Sequence, residues 1–460
     1  EKKKNLKQKL LGSDEEFLQK LIFDFESIET KSITKRSQKN LYDAKKFFAN
    51  LLSSYEQNEL LNTITFIRKR IEVLVLVVQK QSEAIRMFEI INDRGLELSY
   101  LDKIKSILML YSTMYLNDEL NETINNAFET IFDANDDIML HKAQLKILNR
   151  FDANETLFTH HYLSNKAHLS DTWNYRNGAK TIFESIKSKC EDIKDSKENL
   201  KAFITNYIND FSRFASSYAG LLLHIPQDKR YIEAFQFLEF SATLYPLIVL
   251  LFQQNKLDAL LETLISVELR VYKFKGTNPR ADVPLICSEV ASNDKAIDEL
   301  KNTLEVFMNK FMNDGNFKHG LDDNIYGNNA VKYLLFKYNQ YLHPDFFISF
   351  EEYDALQVEH IFPSGGDRGV SFDITAYGFT NNEDYYYLID TLGNLVLLEK
   401  SLNAGKEVSN LTPKEKTNGY LMSNVPETSS FTSLLDKNEF TKNRLEERSQ
   451  KLINFCLEVF

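Results

Sequence analysis

VEHIFPSGG, beginning at Val358, sets a carboxylate directly before an imidazole and then closes on a proline and a glycine pair. Farther along, GNLVLLEKSLNAGK brings Asn394 and Asn403, separated by LVLLEKSL, and then Lys406. Such residue types suit hydrolysis of a phosphodiester. An imidazole near its ordinary pKa of about 6.5 takes a proton from water at neutral pH, and oxygen donors hold Mg²⁺ or Mn²⁺ against a phosphate. Glu359 and His360 are neighbours, so a regular strand sends them to opposite faces, whereas a loop or bulge could aim one at a metal and the other at water. Each residue also has a plain structural reading. His360 can satisfy a backbone group, Asn394 beside Gly393 can belong to a turn, Asn403 can serve as a cap, and Lys406 can be solvated.

The elements that must position these groups differ from the rest of the chain. EEYDALQVEHIFPSGG leads into a polar, aromatic insert and then YLIDTLGNLVLL, whose pattern predicts a short helix or strand, a glycine turn and a second apolar strand. Ser401 to Lys406 then return toward the site. Of Tyr385, Tyr386 and Tyr387, at least one belongs in a core and the others could stack on bases. FTKNRLEERSQKLINFCLEVF, with its apolar stripe, predicts a closing helix.

From about Asn121 to Gln340 the spacing predicts helices, among them NETINNAFETIFD, NLKAFITNYINDFSRFASSYAGLLLHI, RYIEAFQFLEFSATLYPLIVLLFQQ and KAIDELKNTLEVFMNKFM. TNPRADVP and FMNDGNFKHGLDDNIYG read as interruptions, VKYLLFKYNQYL as a last helix and HPDFF as a boundary. Near the N-terminus FLQKLIFDFESI and NLYDAKKFFANLLSSY suit amphipathic helices, RKRIEVLVLVVQ a buried strand and QSEAIRMFEII a helix. Asn92 to Gly95 then reads as a turn, and Ser99 with Asp102 as a helix-capping box. His160, His161 and His168 read as packing or surface residues.

A chain of 460 residues can form two or three domains. Its net charge of −11 argues against coating nucleic acid by bulk electrostatics, while leaving room for a local cationic groove. The three scattered cysteines suggest neither a disulfide framework nor a thiolate metal knuckle, and fit a reducing, cytoplasmic setting. SATLYPLIVLLF is shorter than the roughly 20 residues that span a bilayer and carries Pro246, so it reads as a buried helix and no membrane partner is expected. Because the chain opens at Glu1 rather than methionine, upstream sequence is expected.

Taken together, VEHIFP and GNLVLLEKSLNAGK resemble the motif set of His-Asn-His endonucleases, the ββα-metal or His-Me finger superfamily. More narrowly they resemble the C-terminal nuclease domain of GmrS/GmrD-type modification-dependent restriction proteins. That resemblance implies His360 as general base, Glu359 and Asn403 as metal ligands, Asn394 as the residue that steadies the His360 imidazole, and Lys406 and Arg444 as phosphate contacts. Most of the superfamily has Asp where this chain has Glu359. KEKTNGYLMS, with Lys416, Tyr420 and Ser423, and FTKNRL, with Phe440, also resemble that domain, as phosphate contacts or fold supports. AIRMFEIINDRGLELSYLDKIKS is similar to the closing signature of a ParB-like domain associated with nucleotide hydrolysis, although the Asp-Gly-Gln-Gln-Arg motif central to that chemistry is absent. It implies that Asn92, Arg94, Ser99, Asp102 and Lys105 line or support a nucleotide pocket.

The fold expected on these grounds is multidomain and predominantly α. Residues 1–115 would be the C-terminal part of an α/β ParB-like domain, 116–340 a helical coupling body, and 341–460 a ββα-metal nuclease domain. The resemblance implies a metal-dependent DNA endonuclease of bacterial defence against foreign or modified phage DNA. It would use Mg²⁺ or Mn²⁺, with GTP or another nucleoside triphosphate regulating the complete protein and a homo-oligomer as one arrangement. An RNase or toxin nuclease, and a noncatalytic nucleic-acid sensor, compete with that reading. Cleavage of matched DNA and RNA substrates with divalent metal separates them.

Overall fold

Apolar residues recur at helical spacing along most of the chain, and the computed structural model is mostly helical. It describes residues 14–23, 33, 36–72, 98–153, 155–164, 178–292, 295–365, 369–370, 372–403 and 411–460. Two compact units divide the chain, one of residues 1–137 with 190–208 and the other of 138–189 with 209–460.

In the first unit, helices cover Asp14–Leu18, continuing as a π turn over Gln19–Phe23, and then Arg36–Ser53, Gln57–Arg70 and Tyr100–Tyr115. Ser99 caps the last of these, its hydroxyl accepting from the Asp102 amide at 3.1 Å, but the expected box is half made, since the Asp102 carboxylate bonds the Ser99 hydroxyl and not its backbone amide. Leu101, Ile104, Leu108 and Tyr111 bury one face of that helix. Of the expected strand only its first residues are described: Arg68 to Arg70 end a helix and Ile71 is extended. The rest of it, the helix QSEAIRMFEII and the Asn92 to Gly95 turn lie outside the described residues.

The second unit departs from simple periodicity in two places. RYIEAFQFLEFSATLYPLIVLLFQQ is not one helix, because Glu239 takes a left-handed φ of 61° and the chain restarts at Ala242. The Glu268 carboxylate holds this break, accepting from the amide and hydroxyl of Ser241 at 2.9 and 2.8 Å. Tyr245–Gln253 is then the buried helix expected of SATLYPLIVLLF, with Pro246 in the first turn, where a missing N–H removes no helical bond. In the second place, FMNDGNFKHGLDDNIYG contains a helix, Asp314–Asp322. Asn313 caps it and Phe317 and Leu321, four apart, bury one stripe.

The end of this unit is built around two short strands, β1 (Leu356–His360) and β2 (Leu395–Glu399), paired antiparallel with Glu359 opposite Val396 and His360 opposite Leu395. They form the sheet found among the described residues. Helix Val331–Leu342 packs against β2, whose first four residues are buried. Val396 and Leu398 enter a core with Ile361, Phe362, Tyr385, Tyr420 and Phe440. The aromatic insert thus closes the core beside β1: Phe362 meets Tyr377, Phe379 and Phe440 at 5.1 to 5.5 Å. Tyr385 is buried while Tyr386 and Tyr387 are exposed, as the triple tyrosine predicts. Helix Lys442–Val459 closes the unit.

Candidate active site

His360 ends β1 and is 8% exposed. Its Nε2 lies 2.8 Å from Asp390 Oδ1, and Tyr326 covers the ring with a centroid separation of 4.1 Å. An ionised carboxylate only accepts hydrogen bonds, so Asp390 holds the proton on Nε2 and leaves the Nδ1 lone pair as proton acceptor. Burial draws the imidazole pKa below its ordinary value, partly opposed by the Asp390 bond and charge. The ring is therefore neutral at neutral pH.

Asn394 sits in the turn entering β2 and is fully buried. Its Oδ1 accepts from the Phe362 amide at 2.8 Å, and its Nδ2 donates to the carbonyls of Phe362 and Ile389 at 2.9 and 2.7 Å. Asn394 therefore ties the backbone just after His360 to the backbone just before Asp390. The side-chain bond to the imidazole comes from Asp390, so Asn394 acts on the ring through the two segments it joins. Asp390, bonded to the imidazole in the same cleft, is the residue that the motifs missed; its signal was only an acid at the end of a helical turn, YYYLID.

Gly393 needs no unusual dihedral here. It is required because a Cβ would lie 2.3 Å from the Leu445 carbonyl oxygen and 2.5 Å from Ser449 Oγ. The closing helix approaches that near, Ser449 Oγ accepting from the Gly393 amide at 2.8 Å. Arg448 completes the clasp, donating to the Gly393 carbonyl at 2.8 Å and pairing with both oxygens of buried Glu427.

Glu359 points to different partners from those of His360, as strand alternation requires. Its Oε1 meets Lys416 Nζ at 2.6 Å, and both side chains are buried. Lys416 also donates to the His360 carbonyl, and burial lowers its pKa against the pull of Glu359. Asn403, just beyond β2, donates to Gln357 Oε1 at 3.3 Å. Glu359, His360, Asp390 and Asn403 line one polar cleft of about 830 Å³, with Tyr326 and Asn328 on its wall. The carboxylate and amide oxygens there are donors of the kind a hard divalent cation takes, and in this structure the Lys416 ammonium stands as the counter-charge against Glu359 Oε1.

The remaining expected residues are dispersed or outside the description. Lys406 lies outside the described residues, as do Asn92 and Arg94. Arg444 is exposed on the closing helix and is not part of the described cleft lining. Tyr420 and Phe440 are core residues, and Ser423 bonds Glu399 at 2.8 Å. In the other unit Asp102 and Lys105 follow the Ser99 cap, with Lys105 half-buried and its pKa lowered by desolvation. His160 and His161 are packed: His160 stacks on Tyr218, and His161 stacks on Phe211 and bonds Asp210 at 2.9 Å. His168 is outside the described residues.

Among the described residues His224, Asp228 and Asp258 also approach within 4.8 Å through potential ligand atoms. Arg230 pairs with both carboxylates, at 2.7 and 3.5 Å, and offsets part of their charge. No helix among the described residues is long and apolar enough to cross a membrane. No curated protein and no solved structure matches the chain. Residues 308–455, which contain both strands and the whole described lining of the cleft, match the family model for GmrSD restriction endonucleases, C-terminal domain.

Proposed function

We propose that the cleft at the end of β1 is a DNA endonuclease centre in which His360 is the general base. The observation that carries this reading is the His360 to Asp390 bond at 2.8 Å within the cleft lining, which fixes the tautomer with a basic Nδ1. Nδ1 takes a proton from water as the water oxygen bonds to phosphorus and the bond to the departing 3′ oxygen breaks. Asp390 orients the ring and stabilises the imidazolium that results. Asn394 keeps Asp390 and His360 in register, and Lys406 and Arg444 remain candidates for phosphate contact.

Glu359 and Asn403 would hold Mg²⁺ or Mn²⁺, which when bound supplies positive charge to the phosphate and its leaving oxygen. Lys416 fixes the Glu359 carboxylate from inside the protein. We read residues 341–460 as a ββα-metal nuclease domain, 116–340 as a coupling body and 1–115 as part of a ParB-like domain. Ser99, Asp102 and Lys105, with Asn92 and Arg94, would support nucleotide-dependent control in the complete protein. The family match supports a restriction role against modified DNA, and phage DNA in a bacterial cytoplasm is the substrate this reading selects.

The test is cleavage of modified and unmodified DNA with divalent metal by the parent chain and by His360→Ala. Loss of at least about a hundredfold in rate with the fold retained is expected. Undiminished cutting by a pure His360→Ala protein would reject the assignment.

A further inference from the structure

One wall of the cleft comes from residues 326–332, upstream of both sequence motifs. Within it Tyr326 is 49% exposed although its ring lies against the His360 imidazole, at 4.1 Å and 46°. The loop carrying it is fixed on both sides. The amides of Ile325 and Tyr326 donate to the Asp390 carbonyl at 3.0 and 3.2 Å, and Asn324 Nδ2 donates to Asp390 Oδ2 at 3.2 Å. Beyond it Asn328 reaches the Phe274 carbonyl at 2.9 Å and accepts from the Ala330 amide at 2.9 Å. Gly327, at φ 84°, allows the chain to reverse between these anchors.

An aromatic ring that served packing alone would gain most by being covered, since apolar area removed from water is what stabilises it. Here the anchors hold a ring half in solvent at the mouth of a polar cleft, beside the group that would activate water. A flat face so placed suits another flat, polarisable ring. Every nucleobase has such a face, and stacking on it tolerates any sequence.

We propose that Tyr326 is a substrate-binding residue whose exposed face stacks on a DNA nucleobase next to the scissile phosphate. This rests on the nuclease reading of the cleft. A base inside a duplex must leave its stack to make the contact, so unpaired or distorted nucleotides are favoured at that position.

The test uses the full 460-residue chain carrying His360→Ala, so that binding is read without cleavage. Single-stranded DNA oligonucleotides, intact or with one abasic site moved along the sequence, are titrated by fluorescence anisotropy. Adding Tyr326→Leu weakens binding of the intact strand by about five- to a hundredfold, and Tyr326→Phe regains most of the loss. At the contacted position the abasic strand binds the Tyr326 and Leu proteins alike. Equal binding of the intact strand by both proteins overturns the proposal, as does an equal loss for intact and every abasic strand.

In the chain with His360 restored, Tyr326→Leu raises KM more than it lowers kcat. A fall in kcat with KM unchanged overturns the proposal, because that is what lost packing on His360 alone would give. Should the Leu protein fail to fold, the His360→Ala chain still decides: uniform affinity across the abasic series overturns the contact. Coupling seen with RNA and not with DNA overturns the DNA assignment. Absence of cleavage of every DNA and RNA substrate by the parent chain with divalent metal rejects the nuclease reading and leaves the binding cycle interpretable, so the two failures are distinct.

Discussion

The Asp390 carboxylate meets the His360 imidazole through Oδ1 and Nε2 at 2.8 Å, and the backbone around the pair is tied by one asparagine. Asp390→Ala should therefore slow cleavage by about 10- to 100-fold, the usual cost of losing a partner that orients a reactive group, with less effect on substrate binding. Single-turnover rates at saturating DNA provide the check. A rate equal to the parent's would show that Asp390 does not orient the base.

The pH dependence has a defined sign. Burial holds the His360 pKa below its ordinary 6.5, and Asp390 works against that depression. The basic, neutral ring persists as pH falls, so the acid limb of kcat/KM should lie below pH 6.5. Removing Asp390 deletes a raising influence and should move that limb further toward acid. Profiles of the parent and Asp390→Ala across pH 5 to 8 test both shifts; an acid limb above 6.5 would contradict them.

Lys416 and Glu359 are both buried, so removing one strands the other. Lys416→Met should cost about 3–5 kcal/mol, as for other broken buried pairs. Replacing both, with Glu359→Leu added, should recover much of the stability while abolishing cleavage. Denaturant unfolding of the two single variants and the double variant gives the coupling directly; additive losses would mean that the pair does not act as a unit.

Gly393→Ala places a methyl group 2.3 Å from a backbone carbonyl of the closing helix. Overpacking of about 1–3 kcal/mol is expected, with the helix pushed off the turn that carries Asn394. Loss of stability below half a kcal/mol in thermal unfolding would show that the helix yields freely.

Asn394→Ala leaves the Phe362 amide and the Phe362 and Ile389 carbonyls without their side-chain partner. Each unsatisfied group costs about 1–3 kcal/mol. Stability and cleavage should fall together, in contrast to His360→Ala, which should lose cleavage alone. Parallel unfolding curves and initial rates for the two variants separate positioning from chemistry.

Much of this arrangement was visible in local patterns. The apolar run LVLLE, the cap at Ser99 and the apolar stripe of FTKNRLEERSQKLINFCLEVF each determine a short element from nearby residues. Of Glu359, His360, Asn394 and Asn403, which the motifs put in one site, three line one cleft and Asn394 is buried against Phe362 instead. What stayed hidden was set by distance along the chain. Asp390 and Lys416 reach the site across 30 and 57 residues, and Tyr326 enters it from before the strands. The break at Glu239 was hidden for the same reason, since Glu268 stabilises it from another helix. The helix at Asp314 was missed because glycines at 315 and 320 read as punctuation while Phe317 and Leu321 supplied the burial.

The clasp between Gly393 and Arg448 joins residues 55 apart in sequence. A ribosome therefore delivers His360, Asp390 and both strands well before it delivers the helix that holds their turn in place. Assembly order thus separates forming the two strands from fixing the turn between them.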